Sequence, residues 1–239
     1  LINTSKDSGN KKITFNLLDK FKLLNNTSSV LSIGAGSGEV ELELLKQFDL
    51  KLGYIDPSES LAEKFQADMR STAKTELMQD FHVGTFETFE TKNKYDLIMA
   101  IHSWYYISTD IKTFKKLFNA LSTRGKAFIL LTTKADFTKE LISEFCPERK
   151  NFTSEDFDVA LESLGIVHKV YKFQVPVNYK SCFARGGFSV FGQNWISYFL
   201  RRDYESLTQN MKNELLEFFN HHKTNNTPFS YCAFLLEKP

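Results

Sequence analysis

The apolar run Tyr95 to Ile101, YDLIMAI, opens directly into His102, Ser103, Trp104, Tyr105 and Tyr106. An uninterrupted run of this kind suits a strand buried on both faces, and the carboxyl end of such a strand is the edge where open α/β sheets bind ligands. His102 is the strongest catalytic candidate, as a substrate contact or general base, because an imidazole donates, accepts or changes charge near neutral pH. A hydrogen-bonded histidine at a strand end is the plainer alternative.

A second constellation lies upstream. In VLSIGAGSGEVELELL, Val30, Leu31 and Ile33 run into Gly34, Ala35, Gly36, Ser37 and Gly38, and apolar residues recur at Val40, Leu42, Leu44 and Leu45. The pattern reads as strand, glycine turn, helix. Glycines let the chain bend sharply after a buried strand and let a ligand approach bare backbone, while the helix start offers free N–H groups and a positive dipole end. The spacing is GxGxG, with Glu39 where a dinucleotide fingerprint has its last glycine, so an uncharged or cationic ligand is expected in place of a pyrophosphate. Asp56 ends the next apolar run, KLGYI. It stands about twenty residues beyond the glycines, where a carboxylate accepts hydrogen bonds from ribose hydroxyls. Asp-Pro-Ser also suits a helix start at Ser58, and both roles are compatible.

Together VLSIGAGSGEVELELL, GYIDPSESLAEKF and YDLIMAIHSWYYI resemble motifs one, two and four of the class I S-adenosylmethionine-dependent methyltransferases. This resemblance spans roughly Val30 to Thr133. SIGAGSGE without an acidic residue at Ser32, IHSWYY after the fourth strand, and the later YKSCF are similar to the histamine N-methyltransferase-like small-molecule enzymes. The resemblance implies S-adenosylmethionine as cofactor, with S-adenosylhomocysteine as product. Gly34, Ala35, Gly36 and Gly38 would cradle its methionine and ribose parts, Asp56 and Pro57 the ribose, Thr85 and Phe86 the adenine, and Ile101 and His102 the methionyl end. His102 stands where those relatives carry a substrate-touching Gln, and Tyr105 and Tyr106 match their aromatic wall. Trp104, Tyr179, Trp195 and Tyr198 are the expected substrate pocket. Methyl transfer of this type is an in-line displacement at a sulfonium. It needs positioning, exclusion of water and removal of a proton, and no metal is expected.

The elements that would position these groups follow in order. Residues 1 to 12 are polar, with mobility expected, and Ile13 to Leu24 has helical apolar spacing. After Asp56 a helix is expected over Ser58 to Ser71, a strand over Leu77 to Val83, and a helix over Asp110 to Leu121. A turn at Arg124-Gly125 then leads into a strand over Lys126 to Thr133 and a helix over Asp136 to Phe145. A further helix is capped by Thr153 or Ser154 and ends at Gly165, before an edge strand over Ile166 to Gln174 and a last strand over Tyr231 to Leu236. The fold class is α/β: a Rossmann-like seven-stranded sheet, mostly parallel with the last strand antiparallel, helices on both faces and a helical insertion before the last strand. One domain is expected over 1–239, with a cofactor-binding core at 13–175 and 228–238 and a substrate-recognition insertion at 176–227. In the insertion, Pro176 to Gly192 reads as loop, and helices are expected over Gln193 to Arg202 and Tyr204 to His222. Trp195, Tyr198 and Phe199 share helical spacing, which suits a common pocket or simple packing.

A net charge of +1 over 239 residues, with no basic stripe, argues against a nucleic-acid partner. No apolar run of membrane length is present. Three scattered cysteines, Cys146, Cys182 and Cys232, give neither a disulfide framework nor a zinc pattern, so a reducing, cytoplasmic compartment is expected. The function expected is methyl transfer to a small nitrogenous molecule, an amine or imidazole. Alternatives are a small-molecule oxygen or carboxylate acceptor, a protein substrate, and a non-catalytic binding module. His-Ser-Trp-Tyr after the fourth strand differs from the Asn/Asp-Pro-Pro-aromatic motif common in enzymes that methylate bases or glutamine amides. Oligomeric state is left open.

Overall fold

A computed structural model describes residues 9–25 and 27–238; the polar segment expected to be mobile falls mostly outside them. Helix α1 (Gly9–Lys20) precedes β1 (Ser29–Ile33), whose five residues are all buried. Then come α2 (Glu39–Gln47), β2 (Lys51–Asp56), α3 (Glu59–Ser71), β3 (Met78–Val83), β4 (Tyr95–Ile101), α4 (Ile111–Ala120) and β5 (Leu121–Thr132). The chain continues through α5 (Phe137–Phe145), α6 (Ser154–Ser163), β6 (His168–Val175), the short β7 (Phe183–Ala184) and β8 (Gly187–Phe188), α7 (Val190–Leu200), α8 (Gln209–Thr224) and β9 (Phe229–Glu237). Seven strands form one sheet in the order β3-β2-β1-β4-β5-β9-β6, mostly parallel with one antiparallel strand. The order reverses between β1 and β4, the switch point where such sheets leave a crevice.

Local chemistry explains most boundaries. Ser58 accepts from the Leu61 amide and starts α3, Asp110 accepts from the Thr113 amide at 2.7 Å and starts α4, and Asp136 accepts from the Thr138 amide at 2.9 Å and starts α5. Hydrophobic runs account for β1 and β4, which lie inside the sheet.

Several expectations need correction. Arg124-Gly125 is not a turn before β5 but part of an irregular stretch within it: Tyr95 pairs with Leu121, and the register then jumps to Leu97 with Lys126. A Cβ on Gly125 would lie 2.7 Å from the Tyr95 carbonyl oxygen, so close strand approach explains this glycine. The first insertion helix begins at Val190, because Ser189 caps it, and ends at Leu200, where Arg201 follows with φ 52°. The second begins at Gln209, capped by Thr208, after a separate 3-10 turn at Tyr204–Ser206. The segment read as loop holds a 3-10 turn at Tyr179–Cys182 and the β7–β8 hairpin.

The chain forms two compact units. One takes in residues 132–155 and 172–232, more than the insertion alone. Its core gathers around Phe137, whose ring lies 5.2 to 5.4 Å from those of Trp195, Phe229 and Tyr179. Asp136, buried there, also accepts the Ser230 amide at 2.8 Å. The other unit takes in the described residues up to 131, with 156–171 and those from 233 onward. Among the described residues no helix is long and apolar enough to cross a membrane.

Candidate functional site

Within this second unit, the carboxyl ends of β1, β2, β3 and β4 bring together the glycine turn, Asp56, the stretch after Val83, and His102. Gly34, Gly36 and Gly38 all have positive φ, of 70°, 58° and 74°. Their reasons differ. A Cβ on Gly34 would fall 2.3 Å from the Ser103 Cβ, and one on Gly38 would fall 2.0 Å from the Phe65 ring. Around Gly36 the nearest atom would be Leu61 Cδ1 at 4.0 Å. Thus Gly34 and Gly38 are required by packing, whereas the space over Gly36 is open to a ligand.

The turn is held from beneath. Gly34 and Ala35 donate their amides to the Ile55 carbonyl at 2.7 and 3.1 Å. Gly36 donates to Asp56 Oδ2 at 2.8 Å, and its carbonyl accepts from the Tyr54 hydroxyl at 2.7 Å. Tyr54 is fully buried and stacks against the rings of Phe65 and Phe81, at 4.5 and 4.9 Å. Burial, with Asp56 and Glu41 nearby, pushes the Tyr54 phenol well up, so it stays a donor. The other oxygen of Asp56 accepts from the Ser58 amide at 2.9 Å. A carboxylate offers about four acceptor sites, so two amides leave it capacity for ligand hydroxyls.

His102 leaves β4 in the left-handed region, with φ 53°, while its amide still donates to the Leu130 carbonyl at 2.9 Å. Non-glycine residues held this way cluster at functional sites. His102 Nδ1 lies 3.3 Å from the Tyr105 hydroxyl. Ser103 donates to the Ile33 carbonyl at 2.6 Å, joining the exits of β1 and β4. Tyr106 is 71 % exposed, and its ring meets that of Tyr105 edge-on at 6.3 Å.

Other expected site residues are distributed differently. Ala35 in the glycine turn and Ile101 at the end of β4 are half-buried, Pro57 and Thr85 are exposed, and Phe86 is buried with its ring 6.2 Å from that of Trp104. Trp104 turns inward: it is fully buried, stacked on Phe114 and edge-on to Phe157, which puts its indole in the core and not at a surface. Tyr179, Trp195 and Tyr198 belong to the other unit. There Tyr179 is buried and donates to the Thr227 carbonyl at 2.6 Å, Trp195 packs in the Phe137 cluster, and Tyr198 is exposed beside Phe199. Three residues with no role assigned from the sequence support the turn: Tyr54, Ser103 and Glu41. Glu41 is 3 % exposed in the first turn of α2 and accepts from the Ser32 hydroxyl. Its signal is visible in the sequence, since it shares the helix face of Leu44 and Leu45.

A methyltransferase-domain family matches residues 10–193. The chain is similar to histamine N-methyltransferase of Bos taurus, 23% identical over 178 residues, which cover 66% of this chain and 61% of that protein. It is also similar to malonyl-[acyl-carrier protein] O-methyltransferase 1 of Ilyobacter polytropus, 28% identical over 125 residues, covering 51% of this chain and 45% of that protein. The chain thus spans about three fifths of the length of the bovine relative. Among solved structures, the fold is similar to a Haemonchus contortus phosphoethanolamine N-methyltransferase 2 in complex with phosphomonomethylethanolamine and S-adenosylhomocysteine. That likeness has a TM-score of 0.59 and 16% identity, over 95% of this chain and 53% of the other.

Proposed function

This chain belongs to the methyltransferase-domain family, and on that premise we propose that it transfers a methyl group from S-adenosylmethionine to a small nitrogenous molecule of amine or imidazole type. The observation that carries the reading is the open face of Gly36, with its amide held on Asp56 at the sheet's switch point and His102 at the neighbouring strand exit. That cradle, in which a side chain at residue 36 would meet almost no protein, fits a ligand lying along bare backbone.

When bound, S-adenosylmethionine supplies a methyl group on a sulfonium that is already a good leaving group. The chain's own residues then have limited work. Asp56 accepts hydrogen bonds from ribose hydroxyls through its remaining acceptor sites. Thr85 and the Phe86 backbone border the adenine, and Ala35, Pro57 and Ile101 complete the rim. His102 contacts the acceptor or takes its proton, and the Tyr105 hydroxyl orients the imidazole. The faces of Tyr105 and Tyr106 attract cationic groups. A cytoplasmic location belongs to the same proposal and rests on the scattered cysteines of the sequence.

Labelled methyl transfer tests it, with a small-molecule extract and a protein-plus-RNA extract offered separately and His102→Ala as control. Label in the small-molecule fraction that depends on His102 supports the reading and lets the product be identified. Label confined to macromolecules overturns it. An oxygen acceptor is the second reading, favoured by the similarity to malonyl-[acyl-carrier protein] O-methyltransferase 1, and the product's structure separates the two.

A further inference from the structure

Glu41 is a buried carboxyl with very little to hold its charge. It accepts from the Ser32 hydroxyl and from its own backbone amide, and the charges acting on it are those of Asp56 on β2 and Glu39 on its own helix, both of the same sign. Tyr54, the other titratable group facing it from β2, is a neutral donor to the turn. On the α1 side, Lys11 pairs with Glu43 at 3.9 Å; residues two apart on a helix point to different sides, so that cation serves another face of α2. Ser32 and Glu41 bracket the glycine turn, one on the strand entering it and one in the helix leaving it. A carboxylate here adds negative charge beside that of Asp56, which holds the Gly36 amide.

We propose that Glu41 is a positioning residue of the cofactor site, which acts through Ser32 and the glycine turn and makes the site prefer a cationic cofactor to its neutral product. The inference rests on the S-adenosylmethionine reading above and deepens it. Burial raises the Glu41 carboxyl to about 7, against the hydrogen bond from Ser32, which lowers it. Near neutrality the group is therefore divided between two charge states. A sulfonium bound over the turn favours the ionised one, and by linkage the ionised state favours the sulfonium. S-adenosylhomocysteine lacks that positive charge, so its affinity is indifferent to Glu41. The consequence is discrimination in favour of the methyl donor, set by one proton.

Isothermal titration of S-adenosylmethionine and S-adenosylhomocysteine into the full chain, between pH 6 and pH 8, tests this. Expected is an affinity for S-adenosylmethionine that rises by about tenfold across that range, accompanied by proton release, with S-adenosylhomocysteine flat. Glu41→Gln removes the dependence. Ser32→Ala, which keeps the carboxyl and deletes its hydrogen bond, moves the midpoint to higher pH. Because an imidazole also changes charge near neutrality, His102→Ala is measured alongside and keeps the profile. Parallel pH profiles for the two ligands, or a pH dependence that survives Glu41→Gln and vanishes in His102→Ala, overturn the inference alone. Failure of the unaltered chain to bind either ligand overturns the cofactor reading, and the inference with it.

Discussion

Ser103 occupies the place that a side chain on Gly34 would need: an ideal Cβ there lies 2.3 Å from the Ser103 Cβ and 2.9 Å from its hydroxyl oxygen. The same serine donates to the Ile33 carbonyl. The exits of β1 and β4 are therefore locked by mutual exclusion as well as by a hydrogen bond, and the glycine turn and His102 are placed by one junction.

Gly34→Ala is expected to cost more than about 2 kcal/mol, adding overpacking to the penalty of a left-handed alanine. Denaturant unfolding measures it. Adding Ser103→Gly to that variant recovers the overpacking part, and no recovery would mean that the clash is not the cause.

Gly36→Ala separates stability from binding. With open space around it, its cost is the left-handed conformation, about 1–2 kcal/mol. Binding of S-adenosylmethionine falls far more than in other variants of equal stability, because the added methyl sits on the ligand's side of the turn.

Asp56→Ala leaves the Gly36 and Ser58 amides without their carboxylate and removes the proposed ribose acceptor. At about 1.5–3 kcal/mol for a hydrogen bond to a charged group, cofactor affinity drops at least tenfold in calorimetry. Asp56→Asn keeps one acceptor oxygen and should fall between.

Glu41 also governs stability against pH. Its carboxyl rises from 4.5 to about 7 on folding, so between those values the folded chain holds a proton that the unfolded chain has lost. The contribution is complete below pH 4.5 and disappears as pH rises through 7, a change of up to about 3 kcal/mol. Thermal unfolding across this window should show a shallower loss in Glu41→Gln.

His102→Gly and His102→Ala are both expected to lose methyl transfer, yet the glycine variant should be the more stable by about 1 kcal/mol, since φ 53° penalises a Cβ. Equal stability would show that the backbone there relaxes at no cost.

Much of this site was legible because it is local. Apolar runs buried on both faces marked β1 and β4, and glycine spacing marked the turn. Of the two roles its position suggested, Asp56 supports the helix start through the Ser58 amide, while Ser58 itself is the cap; the ribose role stays a proposal. What supports the turn was harder to read, because the partners are set by tertiary approach: Tyr54 reaches back 18 residues to Gly36, and Ser103 reaches 70 to Ile33. Trp104 misled for the same reason. A tryptophan beside a candidate histidine suggests a pocket, but the 3-10 turn at Trp104–Tyr106 sends its ring inward onto Phe114 and Phe157. Arg124-Gly125 has the composition of a turn, and only the approach of the Tyr95 carbonyl marks it as a strand irregularity.

The grip of Asp56 on two backbone amides has an entropic side. Because Gly36 and Ser58 already hold both carboxylate oxygens in place, the carboxylate proposed to receive the ribose would have no rotamer search left to make. Its ordering is completed when the chain folds, so a ligand received there would bind without the entropic cost of fixing that side chain.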